Sequence, residues 1–280
     1  MKTTNHSLRS RRLSESSRID FLPNLFTAGN LFFGFLAIIS CIQAKYVATD
    51  EVATAAYYTE AVWLIIAAFV CDILDGRIAR SMAKESAFGQ AFDSIADVVS
   101  FGVAPALMVF FLILKPTENF EYFQSLGWLI GFIYLLCAAI RLARFNVLNH
   151  ELKPLSKDKK SYSNKEFLGL PTPAAAGLIV SLVLVLNQYE LREWSVVLLL
   201  LMLFITGLMV SNIPYPSFKD LGWRTRTHFR TFIICTAMGI ASVLLLRSFA
   251  LVGVFLCYIF YGPLRLLYRA FYRRRKVSVQ

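Results

Sequence analysis

Apolar residues along this chain fall into eight long blocks, with polar or charged breaks between them. A bilayer span needs about 20 mostly apolar residues. The blocks meet that requirement at about 24 to 43, 58 to 81, 89 to 114, 124 to 147, 171 to 188, 193 to 211, 229 to 246 and 248 to 268. All are expected to be helices, because an isolated strand cannot satisfy its backbone hydrogen bonds in lipid. The basic N-terminus has the charge of a signal peptide, but the apolar run from Leu25 lacks a small-residue cleavage pattern and leads into further spans. It is read as the first membrane helix.

Composition agrees with that pattern. With 57% hydrophobic against 17% charged residues and a mean hydropathy of +0.57, the chain is too apolar for an ordinary soluble domain. The long apolar blocks also exclude a disordered chain, a coiled coil and a secreted disulfide scaffold. The five cysteines are scattered singly, and His6, His150 and His228 lie far apart, so neither a disulfide framework nor a thiolate or imidazole metal site is expected.

The net charge of +11 is informative through its placement. If the eight blocks all span, 25 of the 29 Lys and Arg residues fall on the side that holds both termini; the other side receives Lys45, Lys115, Arg192 and Arg247. That bias predicts cytoplasmic termini. The expected organisation is a basic cytoplasmic or interfacial segment at 1–22, a membrane domain at 23–212, a basic loop at 213–228, two further spans at 229–268 and a basic tail at 269–280. The stretch from Arg9 to Phe21 suits either a short helix lying along the headgroups or an extended basic tail attracted to anionic lipid. No soluble domain accompanies the C-terminal Arg-Arg-Arg-Lys run, so it reads as a topology anchor, and no nucleic-acid partner is expected.

The chemistry is concentrated where the second and third blocks meet. Asp72, Asp75, Asp93 and Asp97 lie in or beside apolar helix, where ionisable groups are costly and default to function. Residues three or four apart share a helix face, so two facing helices would present four carboxylates together. Such a group repels itself unless cations or protons neutralise it, and an oxygen-only donor set suits hard divalent ions such as Mg²⁺, Mn²⁺ or Ca²⁺. Two such ions suit in-line displacement at phosphorus. Gly76 and Gly89 remove side chains beside the acids and leave room for a phosphate, and Arg80 adds positive charge. A cation or proton transporter is the competing class, although its site is expected nearer the midplane of the bilayer.

These residues resemble the signature of the CDP-alcohol phosphatidyltransferases, DxxDGxxAR followed after eight residues by GxxxDxxxD. Asp72, Asp75, Gly76, Ala79, Arg80, Gly89, Asp93 and Asp97 fill its fixed positions. The stretches Leu22-Pro23-Asn24-Leu25-Phe26-Thr27, Arg141 to Asn146, Phe167 to Gly177 and Pro214 to Lys219 are similar to the serine-using, membrane-integral branch of that family. The resemblance implies an all-α integral membrane protein, a homodimeric helical bundle that moves the phosphatidyl group of CDP-diacylglycerol to an alcohol, here L-serine, with release of CMP. It further implies that Asp72, Asp75, Asp93 and, in part, Asp97 hold two divalent ions, with Asp93 and Asp97 catalytic and Asp97 taking the hydroxyl proton.

A serine acceptor needs a cation for its carboxylate. Arg141 and Arg144, three apart, are candidates together with Asn146, and their alternative role is as positive-inside anchors. Lys219 suits a place near phosphate or a snorkelling role. Asn24, Thr27 and Asn30 could bond the nucleotide or a neighbouring helix. Other acceptors with the same chemistry are glycerol 3-phosphate, inositol or its phosphate, and choline. A chain with little beyond its membrane segments fits the bacterial cytoplasmic membrane, with the site facing the cytoplasm.

Overall fold

The computed structural model describes residues 21–81, 87–113, 121–152, 167–189, 195–215 and 248–277. In chain order these form α1 (Phe21–Tyr46), α2 (Glu51–Ser81), α3 (Ala87–Asp97), a π-helical segment (Val98–Val103), α4 (Ala104–Ile113), α5 (Glu121–Leu152), β1 (Phe167–Leu168), α6 (Thr172–Gln188), α7 (Ser195–Val210), β2 (Pro214–Tyr215) and α8 (Ser248–Val277). The expected seventh span, the N-terminal segment before Phe21 and the basic loop after Tyr215 lie outside the described residues. Where the basic tail was expected from residue 269, α8 continues as helix to Val277.

Local chemistry fixes several boundaries. The Asp50 carboxylate accepts the backbone N–H of Ala53 at 2.6 Å and so caps the start of α2. Pro171 is extended at the entry to α6 and Pro173 sits in its first turn, where a missing N–H costs nothing. Pro105, one residue into α4, has no N–H for the carbonyl of Phe101, and the Tyr134 hydroxyl on α5 donates to that carbonyl at 2.8 Å.

Among the described residues, three helices are long and apolar enough to cross a membrane: Asn24–Tyr46, Phe88–Leu112 and Gly127–Val147. Thr172–Gln188, Val197–Val210 and Leu251–Arg265 are shorter apolar helices. Leu25, Phe32, Phe35, Trp63, Trp128 and Leu200 point outward, as suits an integral membrane protein whose outer surface meets lipid tails. The 31-residue α2 is about 46 Å long, enough to carry its polar end past an apolar layer of about 30 Å.

α1 is the central element. It packs along α2 and also against α3, the π-helical segment and α4. The buried positions on the first two helices include Ala37, Cys41, Ala44, Ala61 and Ala68, and such small side chains let helices approach closely without a hydrophobic drive. α6 packs on α2 and on α8, while α5 packs on α7. Towards the end of α6, Asn187 donates to the Ala55 carbonyl at 2.7 Å and to Thr59 Oγ1 at 3.1 Å, pinning α6 to α2.

The departure from an all-helical expectation is small. β1 and β2 pair antiparallel, Phe167 opposite Tyr215 and Leu168 opposite Pro214. Gly169 follows with φ +83° and donates its N–H to the Ile213 carbonyl at 2.9 Å. A side chain there would run into the Met209 carbonyl, so only glycine lets the chain fold back across the end of α7.

Candidate active site

Two aspartates sit near the end of α2 and two on α3, and α1 serves as the floor beneath both. Thr27 and Asn30, one turn apart on α1, reach in different directions. The Thr27 hydroxyl donates to Asp75 Oδ2 at 3.0 Å, and the Asn30 amide donates to Asp97 Oδ1 at 3.1 Å. Thr27, Asn30, Asp75 and Asp97 are all buried.

Asp72, Asp75 and Asp93 each offer a carboxylate oxygen, and these oxygens lie within 4.8 Å of one another. Asp97, buried like Asp75, lies within electrostatic range of the other three. So the four acids form three convergent carboxylates with a fourth nearby. The donor set is all hard oxygen, and it fits a divalent ion of the Mg²⁺, Mn²⁺ or Ca²⁺ class.

The π-helical segment begins immediately after Asp97. Its extra residue per turn re-aims the helix, a device that recurs at functional sites. Ser100 within it donates to the Asn30 carbonyl at 2.9 Å. Gly34 allows the approach: a Cβ there would stand 2.8 Å from Ser100 Cα. Asn30 is therefore tied to α3 through its side chain and to the π-helical segment through its backbone.

The three expected acceptor residues on α5 diverge. Half-buried Arg141 directs Nη1 to the Thr172 hydroxyl at 2.9 Å, and it lies within electrostatic range of Asp97. Its Nε is buried without a hydrogen-bond partner. Exposed Arg144 instead bonds Asn212 Oδ1 at 2.8 Å, at the end of α7. Asn146 donates to Ser94 Oγ at 2.8 Å, and Ser94 donates to the Gln90 carbonyl at 3.0 Å, so Asn146 steadies the helix that carries Asp93 and Asp97.

Gly76 and Gly89 are half-buried beside the acids, and Asn24 is half-buried one turn before Thr27. The Arg80 side chain and Lys219 lie outside the described residues. Sequence reasoning missed Thr172, Ser94 and Asn212 as partners. Thr172 sits between two prolines and belongs to the family-like stretch Phe167 to Gly177, which gives no sign that its hydroxyl meets Arg141.

Residues 20–211 match the sequence profile of the CDP-alcohol phosphatidyltransferases. The chain belongs to that family. Among known proteins it is similar to the CDP-diacylglycerol–serine O-phosphatidyltransferase of Helicobacter pylori strain 26695, with 34% identity over 249 residues, 88% of this chain and 91% of the relative. The protein of the same name from Methanocaldococcus jannaschii is 38% identical over 157 residues, 56% of this chain and 64% of the relative. That from Saccharomyces cerevisiae is 32% identical over 199 residues, 71% of this chain and 60% of the relative. Membership makes this chain a membrane-embedded transferase, and the acids, α1 floor and Arg141 all lie inside the matched region.

Proposed function

We propose that the chain is a phosphatidylserine synthase, transferring the phosphatidyl group of CDP-diacylglycerol to the hydroxyl of L-serine and releasing CMP. The observation that carries this reading is the convergence of Asp72, Asp75 and Asp93, with Asp97 in electrostatic range of all three and Arg141 in range of Asp97. Relatives carrying the name of that activity align over most of the chain.

In this reading Asp72, Asp75 and Asp93, with Asp97 in part, hold two divalent ions, Mg²⁺ or Mn²⁺. When bound, the ions supply positive charge to the pyrophosphate of the donor and to the departing phosphate. Gly76 and Gly89 leave space for that pyrophosphate, Arg80 adds charge, and Asn24 and Thr27 line the approach along α1. Asp97 accepts the proton of the serine hydroxyl. The serine oxygen forms a bond to the phosphorus that bears diacylglycerol, and the bond from that phosphorus to the bridging oxygen breaks, leaving CMP. Arg141 receives the serine carboxylate, since its Nε is a buried donor with unused capacity and a guanidinium binds a carboxylate bidentately. Arg144 and Asn146 act at a distance from the acceptor, by holding α7 and α3.

The bias of Lys and Arg supports eight spans with cytoplasmic termini and a cytoplasm-facing site in a bacterial inner membrane. A homodimer is the assembly we expect.

The test is CMP release by purified protein in detergent with CDP-diacylglycerol and Mg²⁺ or Mn²⁺, offering serine, glycerol 3-phosphate, inositol and choline in turn. Serine-dependent CMP together with a new aminophospholipid, both lost in Asp97→Asn, supports the proposal. CMP release with a different alcohol keeps the site and overturns the acceptor. No CMP with any alcohol, from protein that is folded and monodisperse, overturns the reaction.

A further inference from the structure

Two hydrogen bonds set α5 against the helix that carries Asp93 and Asp97. The Tyr134 hydroxyl donates to the Phe101 carbonyl at 2.8 Å and Asn146 Nδ2 donates to Ser94 Oγ at 2.8 Å, so α5 runs antiparallel to α3 and the π-helical segment. Arg141 falls between Tyr134 and Asn146 on one helix as Asp97 falls between Ser94 and Phe101 on the other, in nearly the same proportion. Ala138 shows which face of α5 looks that way, since a Cβ at Gly102 would stand 3.7 Å from its own Cβ. Arg141 is one helical turn further along and shares that face.

Thr172 meets Arg141 from the start of α6, and its own place is fixed by bonds that do not involve the arginine. The chain reaches it through β1, paired with β2, and then through Gly169 and Leu170, whose N–H groups donate to the carbonyls of Ile213 at 2.9 Å and Leu208 at 3.1 Å. Pro171 follows in extended conformation, its carbonyl takes the N–H of Ala175 at 3.0 Å, and Pro173 fixes φ in the first turn. Thr172 is fully buried, and its branched side chain has few rotamers open to it in a helix. Its hydroxyl oxygen accepts Arg141 Nη1 at 2.9 Å. The same frame holds α5 a second time, since Asn212, next to Ile213, accepts Arg144 Nη2 at 2.8 Å.

A guanidinium is planar, and its N–H groups point in fixed directions within that plane. On a long free stem it samples many orientations; held at Nη1 by a fixed oxygen it keeps few, and the direction of Nε–H is set with them. Nε is the buried donor of Arg141 that has no hydrogen-bond partner among the described residues, and buried donors are rarely left unpaired unless a ligand or water completes them. Geometry held before the substrate arrives lowers the cost of binding a small carboxylate. We propose that Thr172 is a positioning residue for the acceptor: the frame of β1, β2 and the proline-flanked start of α6 holds its hydroxyl, which fixes the Arg141 guanidinium with Nε turned to the acceptor's carboxylate. This role rests on the acceptor reading of Arg141 given above.

The experiment compares wild type, Thr172→Val, Thr172→Ser, Arg141→Lys and the double variant Thr172→Val with Arg141→Lys, as full-length purified protein with CDP-diacylglycerol, serine and Mn²⁺. Thr172→Val keeps the shape of the side chain without the hydroxyl, and Thr172→Ser keeps the hydroxyl without the methyl group. Thr172→Ala stands in should Thr172→Val fail to purify as a monodisperse protein. The expected result is a KM for serine raised about fivefold in Thr172→Val, with the KM for CDP-diacylglycerol changed less than about twofold and both constants within about twofold of wild type in Thr172→Ser. In the Arg141→Lys background, Thr172→Val should add less than about twofold, because the hydroxyl acts through the guanidinium.

A raised serine KM in Arg141→Lys with wild-type values in Thr172→Val overturns the role of Thr172 and leaves the acceptor reading standing. Unchanged serine KM in every variant overturns both. Thr172→Ser as impaired as Thr172→Val, an equal rise in the KM of serine and of CDP-diacylglycerol, or a fully additive effect in the double variant would mean that Thr172 serves packing alone, and each of these overturns the proposal.

Discussion

Asn30 and Asp97, 67 positions apart in sequence, meet in a buried hydrogen bond of 3.1 Å between α1 and α3. The residue proposed to take the acceptor's proton is thus oriented by a helix that carries none of the acids. Asn30 in turn is fixed by Ser100 on its backbone carbonyl. Asp97→Asn should lower kcat by about 10²–10⁴-fold, the usual contribution of a general base. Asn30→Ala should lower kcat by roughly tenfold while leaving the KM for CDP-diacylglycerol within about twofold, since it disturbs the orientation of the base more than donor binding. Steady-state kinetics with each substrate varied in turn checks both.

Metal dependence follows from the convergence of Asp72, Asp75 and Asp93. Chelation with EDTA should abolish CMP release, and Mn²⁺ should restore it. Because an ion that binds only the folded form stabilises it by about 2.7 kcal/mol at a hundred times its Kd, Mn²⁺ should also raise Tm. Asp93→Asn should lose most of that rise, a readout independent of activity. An unchanged rise in the variant would contradict the assigned ligand set.

The close approach of α1 to the π-helical segment depends on Gly34. Gly34→Ala would force a methyl group against the Ser100 backbone, and overpacking of this kind costs roughly 1–3 kcal/mol. A lowered Tm in detergent is expected, together with reduced kcat, because the displaced contact lies one turn from Asn30. Gly207→Ala is the control: nothing lies within 4 Å of a Cβ at that position, and Tm should hold.

The two arginines of α5 should separate cleanly. Arg144 is exposed and bonds Asn212, so Arg144→Ala should leave the KM for serine within about twofold. Arg141→Lys removes Nε and the planar fork, and the KM for serine should rise about tenfold. Equal effects of the two substitutions would contradict the separation seen in the structure.

Much of the site was legible in the sequence because its spacing is local. Asp72 with Asp75, and Asp93 with Asp97, are fixed by helix periodicity, and the apolar blocks located the helices that carry them. What the sequence could not reveal was tertiary. Thr27 and Asn30 share a face of α1, yet which acid each would meet depends on how α1 packs against two other helices. The two arginines at i and i+3 suggested a common ligand, but α6 and α7 draw them apart through Thr172 and Asn212. Likewise nothing near Pro105 reveals that the carbonyl it leaves unpaired is met by Tyr134.

The most direct test of the account follows the oxygen of the acceptor. Serine labelled with ¹⁸O in its hydroxyl is supplied with CDP-diacylglycerol and Mn²⁺, and both products are weighed by mass spectrometry. Attack by that hydroxyl on the phosphorus bearing diacylglycerol predicts that the label is retained in phosphatidylserine, in the bond between serine and phosphorus, with none in CMP. Label absent from the lipid, or CMP released at the same rate without serine, would contradict the account.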